Sequence, residues 1–145
     1  MSSTSFTTSI HIDRPVEDVF TRVADPRGFP DWNSAVESVY ATSVGQRYVM
    51  HRRLPGGRVT NDLEIFERQP PTTFAIRTIS GPTPFVYRYR FEPADRGTLV
   101  TLDAEVELPG WAALAARGVK RGVDANLATL KSILEPSLPR SVNGA

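Results

Sequence analysis

Residues 10–20 read Ile-His-Ile-Asp-Arg-Pro-Val-Glu-Asp-Val-Phe, and the spacing of their apolar side chains changes in the middle of the stretch. The apolar residues first alternate, as on a strand with one buried face. After Pro15 they recur at intervals of three and four, as on a helix. The pattern predicts a strand followed by a helix that Asp13 caps, with Pro15 in its first turn, where a missing N–H costs little. Asp25 and Pro26 are expected to end this helix.

The composition limits the class of protein. With 145 residues, 40% of them hydrophobic, the chain is long enough for one domain with a core and a cavity. It has no cysteine, which excludes disulfides and thiolate chemistry and fits a cytoplasmic location. The N-terminus lacks the segments of an export signal, and the longest apolar stretch, residues 111–116, is too short to span a bilayer, so we expect no integral membrane association. The net charge of +1 is scattered, and nucleic acid is not expected as a partner.

A hairpin is predicted from residues 46–54 and 58–67, which flank the turn sequence Pro55-Gly56-Gly57. A two-residue loop pairs even-numbered residues of the first strand with odd-numbered residues of the second, whereas an odd loop would invert the faces. The shared inner face, which is mostly apolar, then consists of Tyr48, Met50, Arg52, Leu54, Val59, Asn61, Leu63 and Ile65.

Three more alternating strands are predicted at residues 72–80, 85–92 and 98–108. Because no helices lie between them, they indicate an antiparallel sheet with one wet face. The strand at 85–92 is expected to direct its four aromatic residues inward: Phe85, Tyr87, Tyr89 and Phe91.

The last predicted element is a long helix over residues 109–134, which has one apolar stripe. Gly118 and Gly122 weaken its first half, because glycine is a poor helix former. We therefore expect residues 112–122 and the loop near Trp32 to open for a ligand; close packing of the glycines against the sheet is the alternative.

Three stretches of the chain resemble the SRPBCC superfamily of START-like helix-grip proteins, and in particular its polyketide cyclase/dehydrase-like branch. They are residues 10–20, the sequence Gly-Thr-Leu-Val-Thr at 97–101, and residues 126–135 of the long helix. The resemblance covers about residues 5–135 and implies an α+β fold. In that fold a curved antiparallel sheet of about seven strands wraps around a long C-terminal helix, with one or two short helices after strand 1. We expect one domain, residues 1–135, and a disordered tail, residues 136–145.

The resemblance also implies a deep cavity between the sheet and the terminal helix, which holds apolar ligands such as lipids or polyketide chains. Trp32 resembles the tryptophan that packs near the cavity mouth in many relatives, although a purely structural anchor is the alternative. The candidate ligand-binding residues are Trp32, Tyr48, Met50, Asn61, Leu63, Ile76, Phe85, Phe91, Leu102, Ala104, Trp111, Val119, Val123 and Asn126. For the aromatic residues among them, packing of the core is the alternative.

Arg52, Tyr87 and Tyr89 are the candidate catalytic residues, because a guanidinium or an inward phenol can polarise a carbonyl group. Exposure to solvent at the hairpin tip is the alternative for Arg52, as it is for Asn61. The two histidines fall on predicted outward faces, with His51 beside Asp62, and no metal or nucleotide motif is present. We therefore expect no metal and no cofactor.

Two functions are consistent with these features. The first is a polyketide cyclase/dehydrase-like protein of secondary metabolism, a cofactor-free cyclase, aromatase or dehydratase that binds a polyketide- or lipid-like hydrophobic small molecule. The second is a non-catalytic lipid or hydrophobic-ligand transport protein. A carrier needs only an apolar cavity and a gate, whereas an enzyme also needs convergent polar groups. Either is expected as a monomer or a homodimer.

Overall fold

One antiparallel sheet of seven strands dominates the computed structural model, which describes residues 2–108 and 115–136. The strands are β1 (Ser2–Ile12), β2 (Val36–Ala41), β3 (Arg47–Leu54), β4 (Gly57–Gln69), β5 (Thr73–Ser80), β6 (Phe85–Ala94) and β7 (Gly97–Leu108). Helix α1 (Val16–Val23) and a 3-10 helix (Pro26–Asp31) follow β1, and helix α2 (Ala116–Leu134) follows β7. The predicted start of the long helix and residues 137–145 of the predicted tail lie outside the described residues.

The order of strands in the sheet is β1-β7-β6-β5-β4-β3-β2. Strands that follow each other in sequence are therefore neighbours, except that β1 pairs with β7, from Ser2 opposite Leu108 to Ile12 opposite Thr98. β2, which the sequence did not delimit, pairs with β3 and forms the second edge of the sheet. Within the described ranges, no helix is long and apolar enough to cross a membrane.

The connection from β1 to α1 differs from its prediction at Asp13. Helix α1 begins at Val16, and its N-cap is Pro15, without a side-chain cap. Asp13 lies three residues before the helix, too far for its carboxylate to serve as the N-cap acceptor. Its backbone amide instead donates to the carboxylate of Glu135, just after α2. The predicted capping by Asp13 is therefore wrong.

The β3–β4 hairpin has the two-residue loop that the sequence predicted, because Leu54 pairs with Gly57. Met50 pairs with Asn61 across the hairpin, so the predicted parity is confirmed. Both of these side chains are buried, Asn61 completely. The inner face of the hairpin therefore carries one fully buried polar group among apolar ones.

The hydrophobic core lies between the inner face of the sheet and the helices. The sheet contributes buried side chains such as Ile76 and Leu102. The burial of Ile76 shows that its face of β5 points toward the core. Both helices pack on the same core with the side chains Val19, Phe20, Val23, Val123, Leu127 and Leu130. The apolar stripe that the sequence predicts for the long helix is thus confirmed in the second half of α2.

Polar contacts fasten the middle and the C-terminal end of helix α2 to β1. The Thr8 hydroxyl donates to the Asp124 carboxylate, and the Lys131 ammonium donates to the His11 carbonyl at 2.7 Å. These contacts fix the C-terminal half of the helix over β1. In the N-terminal half, a Cβ atom added at Gly118 or Gly122 would meet no atom of the described residues within 4 Å. Close packing is therefore not the reason for these glycines.

Candidate ligand-binding site

The inner face of β6 carries a continuous row of aromatic rings. Neighbouring ring centroids are 4.6 Å apart for Phe85 and Tyr87, 6.4 Å for Tyr87 and Tyr89, and 6.3 Å for Tyr89 and Phe91. Phe20 of α1 extends the row with a T-shaped contact to Phe91 at 5.2 Å. Side chains two positions apart on a strand share a face, so the alternation in the sequence predicted this row. Aromatic faces and edges at these separations suit a flat or apolar ligand.

An arginine lies at each end of this aromatic row. The Arg52 guanidinium is 5.7 Å from the Phe85 ring centroid, and the Arg68 guanidinium is 5.4 Å from that of Phe20. Arg68 was not predicted from the sequence, because it lies just beyond the predicted strand 58–67, and simple alternation continued to it would place it outside. A register shift between Ile65 and Glu67 reverses the parity there, and no sequence signal announces that irregularity.

Arg52 is held by a hydrogen-bonded cluster, here termed the Arg52 cluster, which consists of Arg52, Asn61 and the backbone and hydroxyl groups of residues 80–83. Arg52 Nε and Nη2 donate to Asn61 Oδ1 at 3.1 and 2.7 Å. Nη2 also donates to the Pro82 carbonyl at 3.1 Å and to the Thr83 hydroxyl. Asn61 Nδ2 donates to the carbonyls of Ser80 and Pro82 at 3.2 and 2.9 Å. The cluster ties the β3–β4 hairpin to the β5–β6 turn.

The burial and the hydrogen bonds of Asn61 and Arg52 bear on their predicted exposure at the hairpin tip. Asn61 is fully buried, so the solvent-exposed alternative is wrong for this residue, whereas Arg52 is half-buried. Arg52 Nη1 is in no hydrogen bond with another described residue, because all of the bonds of Arg52 run through Nε and Nη2. The Nε and Nη2 edge of the guanidinium thus holds the fold, and a ligand contact through Nη1 stays a prediction.

Gly81 allows the turn to approach Asn61 closely. Its φ is +101°, a backbone conformation that favours glycine. A Cβ atom here would lie 2.4 Å from the Thr60 carbonyl oxygen and 2.6 Å from Asn61 Nδ2. The glycine of the predicted turn Gly81-Pro82-Thr83-Pro84 is therefore required for the Arg52 cluster to form.

Burial sets the protonation of the candidate polar groups. It raises the pKa of Tyr87 to about 12, an effect that the positive charge of Arg52 partly opposes. Burial also raises the pKa of Tyr89 and lowers that of Arg52, whose guanidinium nevertheless stays charged near neutral pH. Both phenols are therefore neutral hydrogen-bond donors there rather than bases. Within residues 2–108 and 115–136, Tyr40 is the only tyrosine whose hydroxyl has a hydrogen-bond partner.

The structure places the other candidate residues as follows. Those on strands lie on the inner face and belong to the core or pack against it: Tyr48, Met50, Asn61, Leu63, Ile76, Phe85, Phe91, Leu102 and Ala104. Val123 belongs to the same core, and Val119 packs at its margin. Trp111 lies outside the described residues. Their contacts with a ligand remain predictions.

The segment that follows Trp32 is joined to Asn126 of α2 by a hydrogen bond. Trp32 is buried, with 5% of its surface exposed, and makes a T-shaped contact with Phe29 at 5.6 Å. Asn126 Oδ1 accepts a hydrogen bond from the Ser34 amide at 3.3 Å. Asn126 therefore fastens the segment that follows Trp32 to the middle of α2.

His51 connects neighbouring strands, whereas His11 Nε2 contacts the carbonyl oxygen of Ala94 at 2.7 Å. His51 contacts the Tyr40 hydroxyl through Nε2 at 2.8 Å and the Thr60 hydroxyl through Nδ1 at 2.9 Å. The predicted pairing of His51 with Asp62 is wrong, because Thr60 is the residue directly opposite, and Asp62 accepts from Ser80 instead. In the part of the chain that the structure describes, no three His, Asp or Glu side chains form a group able to hold a metal ion.

Two shallow grooves of about 240 Å³ each lie along the β1, β6 and β7 region. Arg88 and Asp103 line the first, and Val86 and Glu107 line the second. Phe85, the first ring of the aromatic row, also lines the second groove, and both volumes are below the roughly 300 Å³ of a typical ligand site. The cavity that the family resemblance implies between the sheet and α2 is a different location from these grooves. Its volume stays a prediction.

Comparison with protein families gives one clear match. A model described as polyketide cyclase / dehydrase and lipid transport matches residues 3–135. No curated protein sequence matches the chain.

Several solved structures share the fold. A START superfamily protein from Mycobacterium smegmatis is 14% identical, with a TM-score of 0.76, over 90% of this chain and 97% of that one. TTHA0849 from Thermus thermophilus is 21% identical, with a TM-score of 0.72, over 89% and 95%. The di-domain ARO/CYC StfQ from the steffimycin biosynthetic pathway is 15% identical, with a TM-score of 0.74, over 99% of this chain and 53% of that one. The helix-grip fold is thereby confirmed.

Proposed function

Because the chain belongs to the polyketide cyclase / dehydrase and lipid transport family, we propose that it binds a polyketide- or lipid-like small molecule between the sheet and α2. The observation that carries the proposal is the aromatic row on β6, which begins at the Arg52 cluster. The rings provide an apolar surface, and the cluster provides hydrogen-bond donors at one end of it. Such a site fits an apolar skeleton that bears a carbonyl group.

The polar end of the row suits activation of a carbonyl group. Arg52 Nη1 and the neutral phenol of Tyr87 are donors, and donors placed at a carbonyl oxygen stabilise the negative charge that develops there. A cofactor-free cyclase or dehydratase that acts on a poly-ketone uses this property, since a cyclisation of this kind develops an oxyanion. We therefore propose that Arg52 and Tyr87 bind the reacting carbonyl, with Tyr89 deeper in the row.

One observation favours the second candidate, a carrier that performs no chemistry. Arg52 already donates three hydrogen bonds to acceptors of the protein itself, two to Asn61 Oδ1 and one to the Pro82 carbonyl. Both inward phenols are neutral, so neither is poised to remove a proton. Turnover of a poly-ketone substrate, measured beside its binding, separates the two candidates.

Tyr87→Phe is expected to weaken binding of a carbonyl-bearing ligand about fivefold, because the loss of one hydrogen bond changes affinity about two- to tenfold. The matched probes are 2-acetylnaphthalene and 2-isopropenylnaphthalene, which have the same shape but differ in the carbonyl oxygen. Calorimetric titration of both proteins with both probes gives the four affinities. The affinity of the isopropenyl probe should not change.

The outcomes separate the parts of the proposal. If neither probe binds to the unchanged protein at its solubility limit, the proposal of a hydrophobic site is wrong. If the variant binds both probes as the unchanged protein does, Tyr87 does not contact the carbonyl group. Tyr40→Phe is the control, since Tyr40 is exposed and its hydroxyl contacts His51.

Ligand entry is expected through the N-terminal half of α2, which the two glycines weaken. Backbone amides of residues 116–122 should exchange with solvent at least about tenfold faster than those of residues 126–134, as expected of a locally opening segment. Hydrogen exchange followed by mass spectrometry measures both segments. The double variant Gly118→Ala/Gly122→Ala should slow exchange in the first segment only. Equal protection of the two segments in the unchanged protein would contradict a gate at this position.

A further inference from the structure

Trp32 holds an unusual polar atom. Within residues 2–108 and 115–136, its Nε1 is the only completely enclosed side-chain nitrogen or oxygen without a hydrogen-bond partner. Buried donors are nearly always paired, because a donor removed from water without a partner costs as much free energy as a lost hydrogen bond. Asn61, equally enclosed, illustrates the rule, since both of its amide atoms are bonded. The free donor of Trp32 therefore needs an explanation.

Packing alone does not explain a tryptophan at this position. The indole belongs to the apolar core and rests against Phe29, where a phenylalanine would supply aromatic surface without a donor. A trapped water molecule is a poor explanation too, because such a water needs two to four polar partners. Phe29, the side chain that the indole contacts at 5.6 Å, offers no oxygen or nitrogen to such a water. A ligand oxygen is a better explanation than either. It would pair with the indole N–H, and the apolar skeleton of the ligand would need no further polar partners.

The location of Trp32 fits a ligand contact. Four residues after Trp32, Val36 pairs with Arg52, so the tryptophan segment runs beside the strand that carries the Arg52 cluster. The Ala35 carbonyl accepts from the Arg53 amide at 2.8 Å, and Ser34 is bonded to Asn126 of α2. Trp32 is thus held where the sheet edge meets α2, at the border of the proposed site.

We propose that the Trp32 indole N–H is a ligand-binding donor, and that it selects ligands with an acceptor oxygen placed against the 3-10 helix Pro26–Asp31. The inference rests on the proposed function, since it assumes a ligand between the sheet and α2. It narrows the ligand class from any apolar molecule to oxygenated ones, such as aromatic ketones and poly-ketones. A plain hydrocarbon or alkyl chain leaves this donor unpaired and gains nothing from it.

The test follows the indole proton itself. The chain has two tryptophans, so the ¹H–¹⁵N spectrum contains two indole signals, and Trp32→Phe identifies the one from Trp32. Addition of 2-acetylnaphthalene is expected to move the Trp32 indole proton downfield relative to its position with 2-isopropenylnaphthalene. The two probes have the same ring system, so ring-current shifts cancel in this comparison. Identical shifts with both probes, while both bind, would overturn the proposal.

Affinity gives a second, independent measurement. Trp32→Phe is expected to weaken binding of 2-acetylnaphthalene about fivefold and to change that of 2-isopropenylnaphthalene less than about twofold. If the affinity for both probes falls equally, the indole ring only packs against the ligand. If the affinity for neither probe falls, the indole N–H faces no ligand. Either result overturns the proposal. If neither probe binds to the unchanged protein, the proposed function fails, and this inference fails with it. Phe29→Leu is the control, since it disturbs the packing of Trp32 without removing the donor.

Discussion

Gly97→Ala is expected to lower the free energy of unfolding by about 3 kcal/mol or more, as overpacking against rigid backbone does at its upper end. A Cβ atom at this position would lie 2.3 Å from the Ile12 carbonyl oxygen and 2.9 Å from Asp13 Cα. Both are backbone atoms, so no side-chain rotation relieves the contact. Urea denaturation followed by circular dichroism measures the loss.

The neighbouring contacts explain why the backbone cannot move aside. Thr98, the next residue, pairs with Ile12 in the sheet, and its hydroxyl donates to the Arg14 carbonyl at 2.9 Å. A shift of β7 away from β1 would break both interactions at the point where the chain leaves β1 for α1. The glycine and threonine that carried part of the family resemblance are thus the residues that close this corner of the fold.

Gly118→Ala provides the matched control for the same substitution. Gly118 lies inside α2, and a Cβ atom there meets nothing within 4 Å in the part of the chain that the structure describes. The alanine should therefore raise the free energy of unfolding by about 0.5–1 kcal/mol through helix propensity alone. If the two variants had similar stabilities, the close approach of Gly97 to β1 would be wrong.

Local periodicity predicted those parts of the site that regular strands position. The alternation in β6 and the two-residue hairpin loop were sufficient to place Tyr87, Arg52 and Asn61 on one inner face of the sheet. Both patterns depend only on the twofold repeat of a strand and on loop length. The pairing of Met50 with Asn61 confirms that reasoning.

The contacts that sequence reasoning missed involve irregular backbone or distant segments. Arg68 faces Phe20 only because β4 changes register, and Asp13 bonds with Glu135 across 122 positions of the chain. The free donor of Trp32 likewise depends on how three elements meet. Periodicity carries no information about such contacts, because they are set by the packing of whole elements rather than by neighbouring residues.

Arg52→Met is expected to lower the free energy of unfolding by about 2–4 kcal/mol, because it removes a charged donor from a buried acceptor. Methionine retains much of the side-chain volume but leaves Asn61 Oδ1 without its two bonds and Pro82 without one. Arg53→Met is the control on the adjacent residue. Arg53 pairs with Glu37 on the exposed face, where 69% of its side chain is accessible, and its loss should cost less than about 1 kcal/mol.

A double-mutant cycle with Asn61→Leu shows whether the two residues act together. Coupling of about 1.5–3 kcal/mol between Arg52→Met and Asn61→Leu is expected, since hydrogen bonds to charged groups have this strength. Strong coupling would mean that Nε and Nη2 of Arg52 belong to the fold, which leaves only Nη1 for a carbonyl ligand. Coupling near zero would contradict the Arg52 cluster, and the entire guanidinium would then be free to act on a substrate. The stability measurement therefore decides how much of Arg52 the proposed chemistry can use.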